Sequence, residues 1–267
     1  MAASRRAFLA AAAATLATAC ADHAGAPGAP ATTAAAHPGP TTPQVTGPGA
    51  AASPTTGAAG HGPARAVFAG PRTVAQVALT FHLSGDPALV GRLLDAVARA
   101  GAPISLFAVG RWLVEHPDLA RRIVAEGHEL DNHTWTHPVL GRLAGPAVAE
   151  EIRRCQAALA RATGSGGRYF RPSGMTSPTP LVLAEAGAAG YPLVAAFDVD
   201  PRDYADPGAD AVAARVAAGL RPGSIVSLHT GHAGTVAALD RILAAARTRG
   251  LRPVPLHRLL AGMPSAP

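Results

Sequence analysis

The chain of 267 residues contains no lysine: its 23 basic residues are all arginine, set against 17 acids. The formal charge of +6 is therefore mild, and from Arg72 onward it is about +4, with the two signs interspersed. Such a balance excludes nucleic acid as a partner, which needs a concentrated basic face. Cysteine is nearly absent, with two in the whole chain. Cys20 lies in a leader-like N-terminal stretch, so Cys155 has no partner and a disulfide framework is excluded. Cys155 sits in the helical stretch Glu150-Glu151-Ile152-Arg153-Arg154-Cys155, where packing is its expected role. Long apolar runs are lacking too. The N-terminal alanine-rich run is about 13 residues, too short to span a bilayer comfortably. No internal repeat or accessory binding module is visible.

What the N-terminus does contain is an export pattern. Ser4-Arg5-Arg6-Ala7-Phe8-Leu9 resembles a twin-arginine signature, and the alanine-rich run behind it suits a signal h-region. Leu16-Ala17-Thr18-Ala19-Cys20 resembles a lipoprotein box with its Leu one place early. Lipidation at Cys20 and cleavage after Ala17-Thr18-Ala19 both fit, and either places the protein outside the cytoplasm, in the cell envelope or secreted. Residues 1–20 are thus expected to be an export signal. Residues 21–70 are Ala, Gly, Pro and Thr with few large apolar side chains, a composition that cannot offset chain entropy. They are expected to form a disordered tether. Residues 71–262, about 190 in number, are enough for one domain with a substantial core.

Within that domain, strand-like and helical runs alternate. Residues 74–81, 104–109, 128–134, 191–199, 225–228 and 252–256 read as strands. Residues 88–100, with Leu89, Leu93, Leu94 and Val97 at helical spacing, 112–125 and 147–161 read as helices, and Gly127 marks a helix C-cap. Alternation of this kind implies an α/β fold with a parallel sheet and helices outside it.

Residues with chemical capability cluster at the C-terminal ends of those strands, the rim where barrels build their sites. Phe81-His82-Leu83-Ser84-Gly85-Asp86 offers an imidazole and a carboxylate. His133-Thr134-Trp135-Thr136-His137 offers two imidazoles four residues apart. Downstream follow Phe170-Arg171-Pro172-Ser173-Gly174, Asp200-Pro201-Arg202-Asp203-Tyr204 and Ser227-Leu228-His229. Two His and one Asp form a common ligand set for a hydrolytic metal that keeps one position for water. Zinc is the natural default for such donors, although cobalt, nickel or iron accepts them too. Asp86 also fits a plain helix cap, because Asp-Pro is a favoured N-cap and N1 pair.

The order of these motifs resembles the polysaccharide deacetylases, the NodB homology group of carbohydrate esterase family 4. That pattern runs Thr-Phe-Asp-Asp-Gly, His-Thr-x-x-His, Arg-Pro-Pro-Tyr-Gly, Asp-x-x-Asp-Trp and Leu-x-Leu-His, and the likeness spans roughly residues 74–260. It departs most in the first motif, where His82-Leu83 replace the paired aspartates. The resemblance implies a distorted (β/α) barrel and a hydrolase that removes N-acetyl or O-acetyl groups from a polysaccharide. It implies one divalent metal on Asp86, His133 and His137. It makes His229 the acid that protonates the leaving amine, Asp203 the carboxylate behind it with Asp200 as competitor, and Arg171 the group that holds the base. Tyr204, Ser173 and Leu228 would meet the substrate, Ser173 near the oxyanion.

His82 stands where the family has its aspartate base. It could be that base with Asp86 on the metal, a third imidazole ligand with Asp86 as base, or a bystander in a dead site. A second class of function therefore stays open, a non-catalytic carbohydrate-binding lipoprotein on a decayed deacetylase scaffold. A third keeps the metal hydrolase and changes its substrate. Expected partners are an amino-sugar polymer and, through the signal or a lipid anchor alone, a membrane; the chain is expected to be monomeric. His128 is expected to be structural, and His232 and His257 carry no assigned role.

Overall fold

The computed structural model describes residues 62–263. The export signal, Cys20 and most of the expected tether lie outside the described residues. The folded chain nevertheless starts earlier than composition suggested. Strand β1, Arg65–Val67, pairs in parallel with β5, Leu193–Ala195. Ala64 and Val67 are buried, and Ala64 N–H donates to the Leu183 carbonyl at 2.8 Å. Residues 62–70 therefore belong to the domain. A three-residue strand in an Ala/Gly/Pro-rich stretch carries too little periodicity to announce itself.

The central sheet is parallel and runs β4-β3-β2-β6. Its members are β2 (Gln76–Leu83), β3 (Ser105–Ala108), β4 (Glu129–Asn132) and β6 (Ile225–His229). The short β7, Arg252–Pro253, pairs with the start of β2. Single-residue bridges extend the ring from Asn132 to Phe170 and from Phe170 to Val194, and Val199 bridges back to Val226 in β6. The result is a distorted (β/α) barrel whose Phe170 and Val199 staves are reduced to one residue each.

Helices cover the outside. α1, Pro87–Arg99, starts at an Asp86 cap with Pro87 in the first turn. The expected helix over 112–125 is two helices, α2 (Gly110–Glu115) and α3 (Pro117–Ala125). Pro117 lacks an N–H and forces His116 out of helical geometry, to φ −132° and ψ 56°. α4, Gly145–Thr163, is the longest and ends at Gly164, whose φ of 81° suits glycine. α5 (Pro180–Ala188), α6 (Ala209–Gly219), α7 (Ala233–Thr248) and the short α8 (Leu256–Leu259) complete the shell. No described helix is long and apolar enough to cross a membrane.

The pleat of β2 assigns its side chains. Val77, Leu79, Phe81 and Leu83 share a buried cluster with helix residues such as Val90, Leu93 and Leu94. Ala78, Thr80 and His82 take the other face by the two-residue period of a strand. Ala78 packs there with Phe107, Ala195 and Ile225. His82 thus emerges at the strand end from the interior of the ring.

Candidate metal centre and cleft

Register brings the first two imidazoles together. His82 of β2 is the direct partner of His229 of β6, and their ring centroids lie 4.3 Å apart. His133 follows the end of β4, and its ring lies 4.3 Å from that of His82 and 4.8 Å from that of His137. One ring nitrogen each from His82, His133 and His137 falls within 4.8 Å of the others. The three imidazoles form a group that could bind a metal ion.

The donor set fits such an ion. His133 Nδ1 lies 2.8 Å from the Arg171 carbonyl, which can only accept, so Nδ1 carries the proton. His133 Nε2 then presents a lone pair, and it is buried without a hydrogen-bond partner. A buried polar atom left in that state costs free energy unless a ligand satisfies it. Burial pushes the His82 imidazole well below its ordinary pKa, and His133, His229, Arg171 and His137 push it further. Burial and then His137 do the same to His133, and burial lowers His137. All three rings are accordingly neutral near pH 7, the state a metal ligand needs.

A strained loop presents the second and third of these rings. Thr134 and His137 have φ of 69° and 61°, left-handed values that non-glycine residues avoid. Such residues cost on the order of 1–3 kcal/mol each and persist when surrounding bonds over-determine them. Here those bonds are visible. Asn132 Oδ1 accepts from Thr134 N at 3.0 Å, and Gly110 N donates to the Thr134 carbonyl at 2.9 Å. The Glu151 carboxylate on α4 accepts from Trp135 N at 2.9 Å, Thr136 N at 2.8 Å and the Thr136 hydroxyl at 2.8 Å. A side chain on Gly110 would collide with Trp135, at 2.5 Å from an ideal Cβ, so glycine lets the loop close onto α2.

Beside the imidazoles sits a His–Asp pair. His229 Nδ1 is 2.8 Å from Asp203 Oδ1. Asp203 Oδ2 accepts from His229 N at 2.7 Å and from the Thr235 hydroxyl at 2.6 Å. Burial alone would raise the Asp203 carboxyl, but these bonds outweigh it and hold the group below its ordinary pKa. Asp203 is therefore a fixed anion, and His229 Nε2 is left free to work. Asp200, the competing residue, lines the cleft and spends one oxygen on Arg202 N at 2.8 Å.

Other expected residues fall elsewhere. Asp86 is not brought to the imidazoles. Its exposed carboxylate accepts from Ala88 N at 2.8 Å and caps α1. The helix end claims it, as Asp-Pro at a strand–helix junction favours. Leu83, at the position of the family's second aspartate, packs into the core. Leu228 does the same, because the β6 pleat turns Ser227 and His229 to the cleft and Leu228 away. Ser173 is fully buried, with its hydroxyl 2.5 Å from the Pro138 carbonyl and 3.1 Å from Thr134 Oγ1. It braces the strained loop, and Gly174 and Met175 line the cleft instead. Tyr204 lines the cleft, 49% exposed, with its ring 5.4 Å from that of His229.

Arg171 is buried and meets no carboxylate among the described residues. Nε donates to the Ala195 carbonyl at 2.9 Å, one terminal nitrogen to Thr80 Oγ1 at 2.8 Å and the other to the Ala196 carbonyl at 3.2 Å. Its guanidinium lies 4.1 Å from the Phe107 ring centre. Burial lowers its pKa to about 9, and the Asp131 charge acts in the opposite direction. Ser227, whose hydroxyl lies 3.1 Å from His82 Nε2, and Glu151 are contributors that the motif reading did not assign. Glu151 had no local sign, since its contact spans 15 or 16 residues of chain. Cys155 is buried, with its thiol on the Ala108 carbonyl at 3.2 Å and its pKa raised by burial to about 12, the state of an inert packing residue.

His82, His137 and His229 open into a cleft of about 650 Å³, a volume within the range of ligand sites, which Phe197 and Tyr204 also line.

Comparison with known proteins places these features. The family description "Polysaccharide deacetylase" matches residues 69–194. A chitooligosaccharide deacetylase of Bradyrhizobium sp. (strain ANU 289) is 36% identical over 201 residues, covering 68% of this chain and 90% of its own. The Bc1960 peptidoglycan N-acetylglucosamine deacetylase superposes with a TM-score of 0.68 at 28% identity, covering 74% of this chain and 93% of that one. BA3943 of Bacillus anthracis, a CE4 family pseudoenzyme, superposes with a TM-score of 0.69 at 25% identity, covering 73% of this chain and 68% of that one.

Proposed function

The chain belongs to the polysaccharide deacetylase family, hydrolases of N-acetyl amide bonds, and on that premise we propose a metal-dependent enzyme that deacetylates an amino-sugar polymer of the cell envelope. The observation that carries the metal dependence is His133 Nε2, buried, unpartnered and grouped with a nitrogen of His82 and of His137. These three side chains would hold a divalent ion, zinc by donor type, which when bound supplies Lewis-acid polarisation of the acetyl carbonyl and acidifies a water. His82 then serves as a ligand in place of the aspartate that the family carries, and Asp86 has no part in it.

With His82 engaged, the proton work falls to His229. Its Nδ1–H is held on Asp203, so Nε2 accepts a proton from the attacking water and returns it to the departing nitrogen. The fixed Asp203 anion keeps the ring oriented and stabilises its charged form between the two transfers. Tyr204 offers an apolar face to a sugar ring. Arg171, a buried cation behind the site with no carboxylate in direct contact, favours negative charge developing in the cleft.

A second reading has its own observation. Neither aspartate of the family's first motif has a carboxylate replacement among the imidazoles, which suits a carbohydrate-binding protein without turnover. Acetate release decides between them. The zinc-loaded chain is offered chito-oligosaccharides, peptidoglycan and xylan. Release that disappears in His229→Ala supports the hydrolase; binding of the sugars without acetate from any of them supports the second reading. The export signal and lipidation at Cys20 remain part of the proposal on sequence grounds, and metabolic labelling with a fatty acid before and after Cys20→Ala tests them.

A further inference from the structure

The His229–Asp203 pair has an echo three residues on. His232 Nδ1 lies 2.8 Å from Asp206 Oδ1, and both pairs join residues 26 apart in the chain. The repeat has a geometric cause. Asp203 opens a 3-10 turn, Asp203–Ala205, that Asp206 closes. The buried Asp203 carboxylate reaches His229 from the start of that turn, and the Asp206 carboxylate reaches His232 from its end. His229 ends β6 and His232 precedes α7, with their ring centroids 6.0 Å apart.

Three further features separate this second pair from a casual surface contact. His232 lines the cleft beside His229 and Tyr204. Among the ring contacts of the described residues it meets His229, at 6.0 Å between centroids, and none of the three imidazoles of the candidate metal group. Asp206 holds its place with a left-handed backbone, φ 49°, and its N–H donates to the Asp203 carbonyl at 3.0 Å. That conformation costs free energy in a non-glycine residue, and it delivers the carboxylate to His232.

The contact fixes the chemistry His232 can offer. A carboxylate only accepts, so Nδ1 is a protonated nitrogen, and in the neutral ring Nε2 then carries the lone pair. An imidazole Nε2 held by its ring partner at the wall of a carbohydrate cleft matches a hydroxyl group. We propose that His232, oriented by Asp206, is a substrate-binding residue that accepts a hydrogen bond from a sugar hydroxyl on the leaving-nitrogen side of the scissile amide. This rests on the reading of the cleft as a polysaccharide site with His229 at the leaving nitrogen. Asp206 acts only through the ring and is a positioning residue.

Calorimetric titration of the full, chelator-treated chain with chitotetraose tests the proposal without turnover. His232→Ala should weaken binding about two- to tenfold, the worth of one hydrogen bond in affinity. His232→Gln, which returns an acceptor oxygen at similar reach, should recover part of the loss. Asp206→Asn should weaken the wild type by less than His232→Ala does, and should add nothing in the His232→Ala background. Thermal midpoints of all variants control for folding, since a purely structural role would move the midpoint and show no recovery with glutamine. Wild-type binding that His232→Ala leaves unchanged would overturn this inference and leave the functional reading standing, as would an Asp206→Asn loss that persists without the ring. A wild-type chain that binds no chitotetraose would overturn the functional reading and this inference together.

Discussion

Glu151 is the residue whose removal reports most directly on how the proposed metal centre is assembled. Its carboxylate takes two backbone N–H groups and one hydroxyl of the loop between His133 and His137. Bonds to a charged acceptor are worth about 1.5–3 kcal/mol each when buried, and less at a partly exposed site. Glu151→Ala should therefore cost about 2 kcal/mol in all. In a domain of this size that lowers the thermal midpoint by about 4–8 °C, read by circular dichroism on the metal-free chain. The same loop stores the left-handed Thr134 and His137 conformations. Without the clamp they relax, and His137 leaves the group. Metal affinity, measured by competition with a chromophoric chelator, should fall about 10- to 100-fold, the usual effect of losing a residue that orients a ligand. Glu151→Gln, with one acceptor oxygen in place of two, should fall between. A variant that melts lower yet binds metal like the wild type would refute the link between the strained loop and the site.

Three other outcomes follow from the same structure. Asp203→Asn should reduce acetate release about a thousandfold or more with little change in KM, because an amide no longer fixes the His229 tautomer. Asp131 is raised well above the ordinary carboxylate range by burial and then by Glu129, so the folded state holds a proton that the unfolded chain releases. Stability should accordingly be full below the ordinary carboxylate pKa and decline as pH rises through the raised one; Asp131→Asn, which can still accept from Arg168 N and Tyr169 N, should flatten that decline in urea titrations. A chain starting at residue 71 should melt several degrees below one starting at residue 62, because it loses β1 and about 1.5–3 kcal/mol from Val67 burial alone; equal midpoints would return residues 62–70 to the tether.

The barrel was legible where strands and helices each had room to show their period. β2, β3, β4 and β6 fall within or beside the expected runs, and the imidazoles sit at their ends as expected. The motif order carried the family. Legibility failed where a local interaction competed with a distant one. Asp86 had two readings in sequence, and the α1 cap took it. Leu228 shared a motif with His229 but lies on the other face of the pleat, and Ser173 turned inward to brace the loop. The break at Pro117 follows from proline chemistry that the apolar spacing of residues 112–125 concealed. The roles of Glu151 and Ser227 depend on which helix or strand lies alongside, which no single segment specifies.

On the proposed reading three imidazoles, His82 among them, replace the family's carboxylate-containing metal site. Elemental analysis after zinc loading and gel filtration measures it for the wild type, His82→Ala and Asp86→Ala. One zinc per chain is expected in the wild type and in Asp86→Ala, and loss of most of it in His82→Ala. Full zinc in His82→Ala together with its loss in Asp86→Ala would contradict it.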